Sequence, residues 1–178
     1  EAACNWERRR VDGNVITWNI GGEDVLFLLP HIQKTLAKGA AVVMLQELRF
    51  HRKKRGRVKA ALEAIDSNYA VHLARGKLKS KEHDIGAGKL KDRDWAVVTF
   101  LHREAFNSGK TVEREWAQGM QQQGAERQFR GRVLWLDAVT TTGKAVWIAN
   151  VHMPTARALD GRQRVFTALQ ARIAEKKG

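Results

Sequence analysis

The chain has 178 residues, 43% of them hydrophobic and including six Trp and six Phe, which suits one globular domain with its own core and excludes a disordered chain. A single cysteine, Cys4, excludes an internal disulfide framework and a CxxC metal knuckle, and no apolar run approaches the ~20 residues of a membrane span. Lys and Arg number 32 against 19 Asp and Glu, a net charge of +13, so polyanions are the favoured partners and a membrane surface is not.

Residues 1–13 read as a polar, Arg-rich lead-in. "NVITWNI" (14–20) predicts a β-branched strand that "GG" (21–22) ends. "EDVLFLLPHIQKTLAKG" (23–39) predicts a helix with Asp24 near its start and Gly39 as its stop. Pro30 falls inside that stretch, so the helix either begins near Pro30 or is kinked there. "AAVVMLQE" (40–47) is a continuous apolar run ending on a carboxylate, the pattern of a strand buried on both faces.

"HRKKRGR" (51–57) is a basic burst leading into a helix on which Val58, Leu62 and Ile65 share a face. A third strand is expected at 69–75, a long polar loop at 76–94, and a strand at 95–103. Residues 104–130 are weakly patterned, with a short strand near Val112. Two strands around "TTTGK" make a hairpin of 131–154, and 160–178 forms an amphipathic helix with Val165, Leu169 and Ile173 on one face. This order is that of a layered α/β or α+β domain. Val15, Val43, Leu45, Val97, Val133 and Ile148 are the expected core positions.

Three strands end on polar groups of complementary chemistry: Asn19, Glu47 and His152. A carboxylate suits a hard cation, an amide orients a nucleophile or a second carboxylate, and an imidazole donates to phosphate or moves a proton. The alternatives are a turn cap for Asn19, a solvated strand end for Glu47 and a satisfied imidazole for His152.

In order and separation, "TWNIGG", "VVMLQELRF" and "VWIANVHMPT" resemble the endonuclease/exonuclease/phosphatase family, whose fold is that of deoxyribonuclease I. The likeness is nearest to apurinic and LINE-retrotransposon-type endonuclease domains and covers residues 14–178. It implies a four-layer α/β/β/α sandwich and a phosphodiesterase acting on DNA with Mg²⁺ or Mn²⁺. On that resemblance Asn19, Glu47 and His152 are catalytic, and Glu47 and Asn19 are the metal-site residues. Arg49, Arg52, Lys53, Lys54 and Arg55 would contact nucleic acid, and the protein would work inside the cell, in the nucleus or an organelle.

The family pattern continues with a Gly-Asp-Phe-Asn-like motif and a Ser-Asp-His-like motif, which this sequence lacks. The expectation is therefore a domain truncated before those motifs and inactive without a complementary polypeptide segment. Asp137, His83 and Asp84 stand outside the family's order. The competing expectation is a catalytically dead, nuclease-like scaffold that binds RNA within a larger ribonucleoprotein assembly such as a ribosome.

Overall fold

The computed structural model describes residues 12–77, 93–114 and 132–153, together with residues 163, 165–167, 169–171 and 173–174 of a C-terminal helix. The fold is mixed α/β, with two sheets and few helices. The first sheet holds four strands, β1 (Asp12–Asn19), β2 (Ala40–His51), β3 (Tyr69–Lys77) and β4 (Arg93–His102), in the order β1-β2-β4-β3. β1 runs parallel to β2, and the other pairs are antiparallel. The second sheet is an antiparallel meander of β5 (Val112–Arg114), β6 (Val133–Val139) and β7 (Ala145–Val151). Gly143, at φ 87°, makes the β6–β7 turn that the "TTTGK" string predicts.

Helix α1 spans Val25–Leu36, and Asp24 caps it by accepting from the Leu26 amide at 3.1 Å. The helix thus starts five residues before Pro30. The proline lies inside it and leaves the Leu26 carbonyl without an i+4 amide donor. A strong cap upstream overrides the preference for placing proline in the first turn. Helix α2, Arg55–Ala64, also starts before its first apolar position. A 3₁₀ turn over Arg52–Lys54 precedes it, with His51 Nδ1 accepting from the Lys53 amide at 3.2 Å.

The first sheet has a core on each face. Toward the helices, Val43, Leu45, Leu48, Phe50, Val98 and Phe100 pack with Val25, Ile32, Leu36, Val58 and Leu62. Toward the second sheet, Ala41, Val42, Val97 and Leu101 meet Leu134, Leu136 and Ile148. β2 is therefore buried on both faces, as its unbroken apolar run predicts. Five of the six expected core residues are buried, whereas Val15 is 58% exposed. β1 is an edge strand; its odd positions face away from the helix-side core that takes Ile16 and Trp18.

Tyr69 ties three elements together. Its buried hydroxyl donates to the carbonyls of Leu36, at 3.0 Å, and Ala40, at 2.9 Å, which bracket the α1–β2 turn. Burial, with the nearby Asp66 carboxylate, pushes its pKa up to about 12.

Candidate functional site

β2 does not keep one alternation. Leu45 pairs with Val98 and Leu48 with Ala96, so β2 uses one more residue than β4 between these pairs, a β-bulge. Before it, odd residues Val43 and Leu45 face the helices; after it, even residues Leu48 and Phe50 do. Glu47 is at the slip, with φ 58°, the one non-glycine residue at positive φ among the described residues. The bulge turns Glu47 away from the helix-side core, where a regular strand would bury its charge, and onto the face that carries Arg49. Left-handed backbone at a non-glycine residue is strained and gathers at functional positions.

Asn19 and His152 meet Glu47 there. Asn19 Nδ2 donates to Glu47 Oε1 at 2.7 Å, and Asn19 Oδ1 accepts from the Gly21 amide at 2.9 Å. His152 Nδ1 lies 3.5 Å from the same carboxylate oxygen, a close polar contact longer than a full hydrogen bond. The His152 amide donates to the Arg132 carbonyl at 2.6 Å, which fixes the residue just beyond β7. The three residues singled out in the sequence thus form one cluster. Glu47 and His152 are 22% and 14% exposed at the side chain, so solvent reaches the cluster without flooding it.

Burial, and then the Arg132 charge, hold the His152 pKa below its ordinary value, against an opposing pull from Glu47. The imidazole is therefore neutral at pH 7, with one ring N–H to donate. Its ring stacks on Trp95, with centroids 6.1 Å apart and planes 18° from parallel. The Arg49 guanidinium lies 4.1 Å from a Trp95 ring centroid. Arg49 also packs under Gly22, where an added Cβ would stand 2.3 Å from Arg49 Nε. Gly22 has φ 74°, so conformation and space both demand glycine.

The other basic residues behave differently from one another. Arg52 Nε donates to Asp94 Oδ1 at 3.3 Å and Arg55 Nε to Asp94 Oδ2 at 3.0 Å, with a further short contact from the Arg55 guanidinium. Asp94 is 1% exposed, so these arginines compensate a buried charge. Lys53 and Lys54 point outward and are exposed. Asp137 accepts from Trp135 Nε1 at 3.1 Å on the face of β6 opposite Leu134 and Leu136. His83 and Asp84 lie outside the described residues.

Sequence reasoning missed Trp95, Arg132, Gln46 and Asn150. Asn150 is 1% exposed and its amide bridges the two sheets through Gln46, at 2.8 Å. The available signal was position: Ile148, Asn150 and His152 alternate along one strand, so a strand that aims His152 at the site aims Asn150 at the core.

Among the described residues no group of three or more His, Cys, Asp or Glu could hold a metal ion. Glu47 supplies one carboxylate, and only its Oε1 is engaged by Asn19 and His152. Such a donor set fits Mg²⁺ or Mn²⁺ held largely by water and substrate oxygens, and does not fit an all-protein cage. Among the described residues no helix is long and apolar enough to cross a membrane.

No family model and no curated protein matches the chain. Among solved structures the fold is similar to that of ANGEL2, a 2′,3′-cyclic phosphatase, with a TM-score of 0.46 and 15% identity. That likeness covers 80% of this chain and 41% of the other, so the chain spans about two-fifths of that protein's length.

Proposed function

We propose that this chain is part of a metal-dependent phosphodiesterase with a deoxyribonuclease I-like α/β/β/α sandwich, acting on DNA. The observation that carries the reading is Glu47, held at φ 58° in a bulge and facing Asn19 and His152. A strained carboxylate aimed out of a core is disfavoured for stability and useful for binding a cation. For the fourth layer, support comes from Val165 of the C-terminal helix and from Val133 and Trp135 on the outer face of β6, all buried.

In this reading Glu47 holds Mg²⁺ or Mn²⁺, which when bound would polarise a phosphodiester. Asn19 orients the carboxylate by donating to Oε1, and its own oxygen is already committed to Gly21. Neutral His152 donates a hydrogen bond to a phosphate oxygen, and Arg49, steadied on Trp95, contacts the nucleic-acid backbone. Lys53 and Lys54 extend that contact. One carboxylate and one imidazole do not make a full hydrolytic set, so efficient turnover needs further groups from a complementary segment.

Mg²⁺-dependent nicking of supercoiled plasmid, with Mn²⁺ affinity measured in parallel and folding checked by circular dichroism, tests this reading. The expected result is a wild-type chain that binds Mn²⁺ and nicks slowly, and a folded Glu47→Gln chain that does neither. Equal Mn²⁺ binding by the two chains refutes it. That the described residues bring a single carboxylate to the cluster also favours a second reading, a nuclease-like scaffold that binds RNA in a ribonucleoprotein assembly. That protein would bind RNA with a steep salt dependence and neither hold Mn²⁺ at Glu47 nor nick.

A further inference from the structure

A bulge that places an acid at positive φ has to be held open, because a regular ladder would draw Glu47 back toward the helix-side core. We infer that Asn150, reaching across from the second sheet, is the positioning residue that holds it. Asn150 Nδ2 donates to the carbonyls of Leu45, at 3.2 Å, and Val98, at 2.8 Å. Those two residues are the last register pair before the slip. The same nitrogen approaches Thr99 Oγ1 at 3.3 Å, and Asn150 Oδ1 accepts from Gln46 Nε2 at 2.8 Å.

Gln46 immediately precedes Glu47 and also donates to Thr17 Oγ1 on β1, at 3.1 Å. One buried amide therefore engages both strands at the mouth of the bulge and the residue beside the acid. Its hydrogen bonds stay intact only while the ladder remains slipped, since buried carbonyls and amides left unpaired are strongly disfavoured. Two residues further on, just past the end of β7, comes His152. A single strand thus supplies the brace for Glu47 and the imidazole that faces it, so the second sheet sets the geometry of a carboxylate carried by the first. The role in cation binding rests on the proposed function; the role in backbone geometry does not.

A melting cycle tests the backbone role. Glu47→Gly should melt higher than Glu47→Ala in the otherwise native chain, because glycine relieves the left-handed strain. In an Asn150→Ala background that difference should vanish, since the backbone at 47 is then free to relax. An undiminished difference overturns the inference. Should Asn150→Ala not fold, Gln46→Leu, which leaves Asn150 Oδ1 without its donor, takes its place in the cycle with the same two outcomes.

The second readout is Mn²⁺ alone. Folded Asn150→Ala should bind it ~10-fold or more weakly, a loss of the size seen when an outer residue that positions a metal ligand is removed. Unchanged affinity overturns the claim that Asn150 positions the carboxylate. If the wild-type and Glu47→Gln chains bind Mn²⁺ alike, the cation reading has failed, and the melting cycle alone decides the role of Asn150.

Discussion

The strain at Glu47 can be measured directly by comparing Glu47→Ala with Glu47→Gly. Both remove the carboxylate and so lose the bond from Asn19 and the contact with His152. They differ in the backbone. At φ 58° an L-residue is disfavoured by ~1–2 kcal/mol, while glycine carries ~0.4–1 kcal/mol of extra unfolded-state entropy. Glu47→Gly should therefore be the more stable by ~0.5–1 kcal/mol. For a chain of 178 residues that is a rise of ~1–4 °C in Tm, each kcal/mol giving ~2–4 °C. Urea melts followed by circular dichroism give the same difference at constant m-value. Glu47→Gly less stable than Glu47→Ala by ~1 kcal/mol would refute the reasoning, because residue 47 would then occupy ordinary strand geometry and the carboxylate would not be turned toward Asn19 and His152.

The chain has one tyrosine, so phenolate absorbance reports Tyr69 alone. Its pKa is raised to about 12 by burial and then by Asp66. Between the ordinary value of ~10 and about 12 the unfolded chain releases the proton first, so stability should be full below pH ~10 and fall by ~3 kcal/mol as pH rises through that window. Reversible ionisation of the folded chain near pH 10 would contradict this. Gly22→Ala should destabilise the fold by ~1–3 kcal/mol and push Arg49 off Trp95; an unshifted denaturation midpoint would show that the close packing of Gly22 on Arg49 is not maintained. Exchanging Lys53 and Lys54 for Ala should lower the slope of log affinity against log salt for double-stranded DNA by ~2, since each phosphate contact contributes ~0.9. Arg52→Ala should instead act through stability, since Arg52 compensates Asp94. A slope that Lys53 and Lys54 leave untouched would take the turn out of the interface.

Much of the fold was legible because it rests on periodicity. The capped helix α1, the apolar run of β2 and the hairpin follow from where apolar residues recur; of the C-terminal helix's expected apolar face, Val165 is buried while Ile173 is 42% exposed. Asn19, Glu47 and His152 stood out because each is polar at the end of an apolar strand. What stayed hidden depends on spatial neighbours. A bulge adds one residue without altering composition, so nothing in "VVMLQELRF" marks where the ladder slips. Val15 reads as core because it is β-branched, yet it is on an edge strand and exposed. Arg52 and Arg55 read as surface charge until Asp94, some forty residues away, is brought beneath them by β4. Asn150 is an ordinary-looking strand residue whose partners come from β2 and β4.

The slip in β2 also fixes how this strand tolerates change. Its partly exposed positions are Met44, then Glu47, Arg49 and His51, so they fall on an even number before the slip and on odd numbers after it. A charge scan from 43 to 51 should therefore be rejected on the helix side at 43 and 45 and then at 48 and 50, a phase jump in the middle of one strand, and also at Gln46, which is buried between the sheets. Straightening the ladder without losing a residue would turn the outer half of the strand inside out, sending Arg49 toward the helices and Leu48 and Phe50 away from them, whereas deleting Glu47 would restore a regular alternation with those faces kept and remove the acid. The irregular residue is the one that lets a single strand be oily on one side for its whole length and still present an acid on the other.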